Sequence, residues 1–165
     1  MFIAHIPAGY LASSLVAQKQ TNKCRMLAFG IGCSVLPDLD LLWFYLVDNR
    51  QTGHHAYIFH WPLFWCALAM CAWLFSWHTK KAWMHAYIVV GLVCLTLHMF
   101  LDSFAAEIFW LKPLSDMHLN VVEVPAQYNW WVWNFVFHWT FAIELAICLV
   151  AAAVFLSKRS PARRK

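Results

Sequence analysis

The sequence predicts an all-α protein, an integral membrane bundle of about five helices that forms a single transmembrane domain over residues 1–165. Three observations favour this fold. Hydrophobic residues make up 62% of the chain, charged residues only 12%, and the mean hydropathy is +0.56. The apolar residues form long runs, and the basic residues cluster between those runs. Because soluble domains are about 25% charged, the composition excludes a disordered chain, a nucleic-acid module and an ordinary cytosolic enzyme.

Five apolar segments account for the predicted helices. They cover residues 2–17, 26–47, 57–77, 83–110 and 130–156. A membrane-spanning helix requires about 20 apolar residues, which the last four segments supply. The first is short and is interrupted by His5, Pro7 and Gly9. Since no basic residue precedes it, as a signal peptide would require, we expect this segment to be retained.

The basic residues predict the orientation of the bundle. They lie between the first two segments (Lys19, Lys23, Arg25), between the third and fourth (Lys80, Lys81) and in a tail at residues 157–165. With five crossings these clusters share one face, which the positive-inside rule assigns to the cytoplasm. The N-terminus is then outside, the C-terminus is cytoplasmic, and the loop at residues 111–129 is outside. We expect the tail to contact anionic lipids rather than nucleic acid.

The acidic residues and histidines segregate to the opposite face. With this topology, seven of the eight acidic residues and seven of the nine histidines lie toward the outside. Ionisable residues in spanning segments are costly and usually face a partner or a cavity. Carboxylates that converge on one face would repel each other unless a cation lay among them. The sequence therefore predicts an outward-facing metal site.

Four local groups supply the candidate ligands. They are His5, the pair Asp38 and Asp40 after a proline, the pair His55 and His60, and the pair His98 and Asp102. His98 and Asp102 are four residues apart and share one helix face, which suits two ligands or one ligand and its supporting carboxylate. Alternatives remain for the other groups, because interfacial carboxylates are often simply solvated and a lone histidine often hydrogen-bonds between helices.

Taken in order, these motifs resemble the YdjM-like family of inner-membrane metal-dependent hydrolases. The resemblance rests on His5, Leu-Pro-Asp38-Leu-Asp40, His55-x4-His60, His98-x3-Asp102 and Trp110-Leu-Lys-Pro113, and runs to about Ser115. Family members read His-Arg-Gly-x-Thr-His where this chain keeps only the two histidines. The family is distantly similar to zinc-dependent phospholipases C and single-strand nucleases. The resemblance implies phosphoester hydrolysis with one to three Zn²⁺ ions, or Mn²⁺, held by the candidate ligands listed above.

The expected function is that of a membrane-embedded hydrolase at the outer face of the bacterial inner membrane. A metal-activated water is the expected nucleophile, with Asp40 or Glu123 to orient it or to protonate the leaving group. Arg50, Lys112 and His118 are the predicted substrate-binding residues. We expect a lipid or lipid-linked phosphate as substrate, membrane lipids as partners, and no nucleic acid.

The alternative is a metal-binding or haem-binding membrane protein that transfers electrons or ions without hydrolysis. His85 and His98 are thirteen residues apart on one segment, a spacing that suits two haems. However, no second segment supplies a matching pair of histidines. The neighbouring aspartates also favour a harder cation than haem iron.

Overall fold

The computed structural model describes residues 3–19 and 22–159, and these contain seven α-helices. The helices are α1 (His5–Val16), α2 (Lys23–Val35), α3 (Asp40–Leu46), α4 (Pro62–His78), α5 (Trp83–Asp102), α6 (Trp131–Val136) and α7 (Thr140–Arg159). Within the described ranges there is no β-strand, and Ile108 and Leu119 form only an isolated bridge. The all-α prediction is therefore confirmed. Residue 2 of the first predicted segment and residues 160–165 of the predicted tail lie outside the described residues.

Apolar helices long enough to cross a membrane are present. By length and composition, α5 and α7 qualify among the described residues, and α2 with residues 37–46 is a third if that bent pair is one span. The apolar helix α4 is shorter, with 17 residues. Large apolar side chains such as Leu46 and Leu149 are more than 70% exposed, as lipid-facing residues would be. These features support a membrane protein, while five crossings and the orientation of the termini stay predictions.

Several helices end or bend inside the predicted apolar segments. The segment at residues 26–47 bends by 51° at Pro37, because proline lacks an N–H and clashes with the preceding turn. The segment at residues 83–110 is helical only to Asp102. The segment at residues 130–156 is broken between Val136 and Thr140. The segment at residues 57–77 begins in a 3₁₀ turn and becomes α-helical at Pro62. Hydropathy does not distinguish an apolar helix from an apolar turn, so it missed these breaks.

Small residues allow α1 and α2 to pack closely. A Cβ on Gly9 would lie 2.3 Å from Ser34 Oγ, and a Cβ on Gly30 would lie 2.5 Å from Ser13 Cβ. In each helix the glycine and the serine are four residues apart, the small-xxx-small spacing typical of membrane helix pairs. Val90 of α5 is fully buried against the pair, with its Cγ1 2.8 Å from a Cβ on Gly30. This packing brings the start of α1 to the ends of α2 and α5.

The helix directions separate the charges. Helices α2 and α5 run toward the end where α1 and α7 begin, and the start of α7 is joined there to residues 3 and 4 by Glu144. The basic residues Lys23, Lys80 and Lys81 lie at the other ends of α2 and α5. The predicted separation of acidic and histidine residues from basic residues is therefore present in the fold.

Candidate metal centre

The seven predicted metal ligands come together at one end of the bundle. Helix α1 contributes its first residue, and α5 contributes two residues from its end. The others lie in the 3₁₀ turn at Pro37–Leu39, at the start of α3 and in the 3₁₀ turns at residues 54–60. The predicted ligands are His5, Asp38, Asp40, His55, His60, His98 and Asp102. The residues come from four separate parts of the chain, so the site exists only in the folded protein.

Two histidines at the centre of the site have a hydrogen-bond acceptor at Nδ1. His98 Nδ1 lies 2.7 Å from the carbonyl oxygen of Ser34, which can only accept, so Nδ1 carries the proton. His60 Nδ1 lies 2.6 Å from Asp40 Oδ2 and donates in the same way. When each ring carries only its Nδ1 proton, both Nε2 atoms present a lone pair, and these two atoms lie only 3.3 Å apart. Two lone pairs at this distance repel unless a cation or a proton lies near them.

Two carboxylates face the same point. Asp102 Oδ2 lies 3.1 Å from His98 Nε2 and 3.7 Å from His60 Nε2. Asp38 Oδ1 lies 3.7 Å from His98 Nε2 and 3.9 Å from His60 Nε2. All four donor atoms lie within 4.8 Å of one another. Two imidazole nitrogens and two carboxylate oxygens are a donor set that suits Zn²⁺ and related divalent ions, so this group could hold a metal.

The other predicted ligands surround this group. His5 Nε2 lies 3.1 Å from Asp102 Oδ1, and its ring stacks on His98 with the centroids 3.9 Å apart. His55 Nε2 lies 3.7 Å from Asp102 Oδ2. Asp40 contacts His60 Nδ1 rather than the central point, which is the position of a carboxylate that orients a ligand from behind.

A cavity of about 390 Å³ opens beside the four-ligand group. The polar residues that line it are Asp38, Arg50, His54, His55 and Asp102. The remaining lining residues are mostly aromatic or aliphatic: Leu41, Phe44, Tyr45, Ala105, Ala106, Trp131 and Phe135. Arg50 is the one lysine or arginine in this lining, within residues 3–19 and 22–159, and its guanidinium lies 4.9 Å from the Tyr45 ring centroid. The cavity thus joins a cation, a metal-ligand cluster and an aromatic surface.

His54 is a site residue that sequence reasoning missed. Its ring centroid lies 3.7 Å from that of His55, and His54, His55 and His60 form a second group with ligand atoms within 4.8 Å of one another. Burial, together with the neighbouring His55 and His60, lowers the pKa of His54 to about 3. Burial also lowers the pKa of His55, against the opposing effect of Asp102. Both imidazoles are therefore neutral at pH 7, the form that binds metal. The His-His doublet was the available signal.

Three predicted residues lie away from the cavity. Lys112 Nζ lies 3.5 Å from Asp116 and 4.4 Å from the centroid of the Phe109 ring. His118 Nε2 lies 3.9 Å from Glu107 Oε1, and Glu123 is exposed. None of Lys112, His118 and Glu123 lines the cavity in the described part of the chain. Their predicted roles in substrate binding and catalysis stay predictions without a contact to support them.

A family model described as YdjM inner membrane protein matches residues 1–163. No curated protein and no solved structure matches the chain. The family match confirms the resemblance predicted from the motifs and extends past Ser115 over α6 and α7.

Proposed function

Because the chain belongs to the YdjM inner membrane protein family, we propose that it is a membrane-embedded, metal-dependent hydrolase. The proposed metal is a divalent ion, Zn²⁺ before Mn²⁺. The proposed substrate is a phosphoester of a lipid or lipid-linked molecule, cleaved at the outer face of the inner membrane. The observation that carries the proposal is the meeting of two imidazole Nε2 atoms and two carboxylates beside an open cavity.

The donor chemistry supports a resident cation. His60 and His98 each have a hydrogen-bond acceptor at Nδ1, which leaves Nε2 free to bind a metal. Asp38 and Asp102 supply the negative charge that a divalent ion requires. A divalent ion bound to these four residues would act as a Lewis acid and lower the pKa of water toward ~7.

The surrounding residues have distinct tasks in this proposal. Asp40 fixes the tautomer of His60 from behind. Asp38, whose side chain is 31% exposed, is the proposed ligand most open to the cavity. Arg50 can pair with an anionic substrate group through two parallel hydrogen bonds. Phe44 and Trp131 offer apolar surface to the rest of the substrate.

The contacts of two histidines argue against the haem alternative. The His85 ring stacks on Trp73, with the centroids 4.3 Å apart. His98 Nε2 already faces His60 and Asp102, so a haem bound there would have to separate those residues. The site is better matched to a small hard or borderline cation than to a macrocycle.

Hydrolysis by the metal-loaded protein tests the proposal. The detergent-purified protein, dialysed against a chelator and reloaded with Zn²⁺ or Mn²⁺, is assayed with bis(p-nitrophenyl) phosphate and with phosphatidic acid in mixed micelles. We expect metal-dependent release of nitrophenol or of inorganic phosphate, which His98→Ala abolishes and His78→Ala retains. His78 is the control because it is exposed at the last residue of α4. If the wild-type protein binds metal but hydrolyses neither substrate, the proposed hydrolase function is overturned.

A further inference from the structure

A buried carboxylate in α7 has no part in the proposed chemistry. Glu144 is only 3% exposed, and it lies in a helix long and apolar enough to cross a membrane. Carboxylates in such segments are costly and are retained where they bind a specific partner. The partners of Glu144 include the backbone at the beginning of the described chain. Its Oε2 accepts the N–H of Ile3 at 2.5 Å and the N–H of Ala4 at 3.2 Å.

These hydrogen bonds hold the start of α1. Ala4 is the N-cap of α1, and no side chain caps that end from within the helix. The N–H groups at a helix start have no intrahelical acceptor, and a carboxylate is favourable beside the positive end of the helix. Ala4 is also fully buried, and it packs with Ala8, Leu101 and Ile147. Two residues of α7 therefore hold the start of α1: Glu144 by hydrogen bonds and Ile147 by apolar packing.

The next residue in the chain is a member of the metal centre. His5 begins α1 directly after Ala4, its Nε2 lies 3.1 Å from Asp102 Oδ1, and its ring stacks on His98. A displacement of residues 3 and 4 would therefore move His5 relative to Asp102 and His98. We infer that Glu144 is a positioning residue, which sets the place of His5 and so the affinity of the site for its metal, without touching the metal itself.

This inference requires that the cluster binds a metal, but not that the protein hydrolyses anything. Cobalt is a suitable probe, because the visible spectrum of bound Co²⁺ reports the number and arrangement of its ligands. Two kinds of variant separate the hydrogen bonds from the fold of α7. Glu144→Ala removes the acceptor, and Glu144→Gln keeps an acceptor oxygen. Ile3→Pro removes one donor without any change in α7, and Ile3→Ala is its control because it keeps the N–H.

We expect Glu144→Ala to weaken Co²⁺ binding by less than the loss of about 10–100-fold that follows removal of a direct partner of a ligand, and to alter the cobalt spectrum. Ile3→Pro should also weaken Co²⁺ binding, but by less than Glu144→Ala does. In a protein that already carries Glu144→Ala, Ile3→Pro should cause little further loss of Co²⁺ affinity. Glu144→Gln should restore most of the affinity. Ile3→Ala and Leu145→Ala, which alters the 45% exposed neighbour of Glu144, should match wild type.

Hydrogen exchange of the metal-free protein gives a readout independent of metal. Faster exchange at residues 4–8 in Glu144→Ala and Ile3→Pro would support the attachment of α1 to Glu144. Unchanged exchange in both variants would overturn that attachment. Faster exchange with wild-type cobalt affinity and spectrum would overturn the positioning role. If Glu144→Ala does not fold, the comparison of Ile3→Pro with Ile3→Ala decides the question. If the wild-type protein binds metal without hydrolysing substrate, the proposed hydrolase function is overturned, but the positioning role of Glu144 is not affected.

Discussion

His60 and His98 face each other through Nε2 atoms that lie 3.3 Å apart, and each ring is held at Nδ1 by an acceptor from a different part of the chain. The two acceptors are a carboxylate at the start of α3 and a backbone carbonyl near the end of α2. Both rings therefore direct Nε2 at the same point, which Asp38 and Asp102 also face. This arrangement suits a pair of metal ligands, since an acceptor occupies each Nδ1 and each Nε2 faces the position that an ion would take.

Loss of His98 should abolish metal binding. We expect His98→Ala to lower the affinity for Zn²⁺ by about 100-fold or more, because loss of a direct ligand should exceed the 10–100-fold effect of removing an outer partner. Competition with a chromophoric chelator measures the affinity, and elemental analysis should find zinc in wild type but not in the variant. His78→Ala is the control. Equal zinc in the His98 and wild-type proteins would refute the four-ligand centre.

Asp40 should act through His60. In Asp40→Asn the carboxylate that fixes the His60 tautomer is lost, while size and shape are kept. We expect metal affinity to fall about 10–100-fold with little change in helix content by circular dichroism. Asp48→Asn serves as the control, since Asp48 accepts the N–H of Thr52 in an exposed turn. A variant of Asp40 that binds metal normally but has lost hydrolysis would instead favour the catalytic role predicted for Asp40 from sequence.

Arg50 and Lys112 should differ in their effect on substrate binding. Arg50 lines the cavity, whereas Lys112 contacts Asp116 and does not. Loss of a charged hydrogen bond costs about 1.5–3 kcal/mol, so Arg50→Ala should raise KM for a phosphodiester by roughly 10–100-fold with a smaller change in kcat. Arg50→Lys should recover only part of the substrate binding, since lysine cannot form the two parallel hydrogen bonds of the guanidinium group. If Lys112→Ala has the larger effect on KM, the loop rather than the cavity binds the substrate.

The stability of the metal-free protein should fall in mild acid. Burial lowers the pKa of His54 from 6.5 to about 3, so the unfolded state binds a proton there that the folded state rejects. The free energy of unfolding is therefore unaffected by His54 above pH 6.5. It decreases progressively as the pH falls from 6.5 toward 3, because protonation of this side chain favours the unfolded state. The apparent midpoint of thermal unfolding in detergent should therefore decrease between pH 7.5 and pH 5. His54→Phe should show a smaller decrease, and an identical pH dependence in this variant would contradict the expectation.

Close packing of α1 on α2 should make one glycine intolerant of a methyl group. A Cβ at Gly30 would lie 2.5 Å from Ser13 Cβ and 2.8 Å from Val90 Cγ1, whereas a Cβ at Gly32 would meet nothing within 4 Å. Overpacking of this kind costs about 1–3 kcal/mol. Gly30→Ala should therefore lower the unfolding temperature by several degrees, while Gly32→Ala should leave it unchanged or raise it. Equal stability of the two variants would show that α1 and α2 separate easily.

Local patterns in the sequence were enough to predict the fold class and the residues that gather in the candidate metal centre. The all-α class follows from long apolar runs, and the pairing of His98 with Asp102 follows from helical spacing within a single segment. His5, His55 and His60 could be included because they lie on the same face once the basic loops are assigned to the other. His54 was left out, although it adjoins His55, because a doublet of histidines does not reveal which rings are directed inward.

What the sequence determined by itself was therefore a membrane-type helical chain whose scarce acidic side chains and histidines gather at one end. Only the tertiary structure decided that Asp40 contacts His60 from 20 residues away, that a Ser34 carbonyl orients His98, and that Arg50 rather than Lys112 reaches the cavity. It also decided where apolar segments stop being helical. The physical reason is that hydropathy and helical periodicity describe one segment at a time. The protonation state of each imidazole and the lining of the cavity depend on contacts between segments, which exist only after the helices have packed.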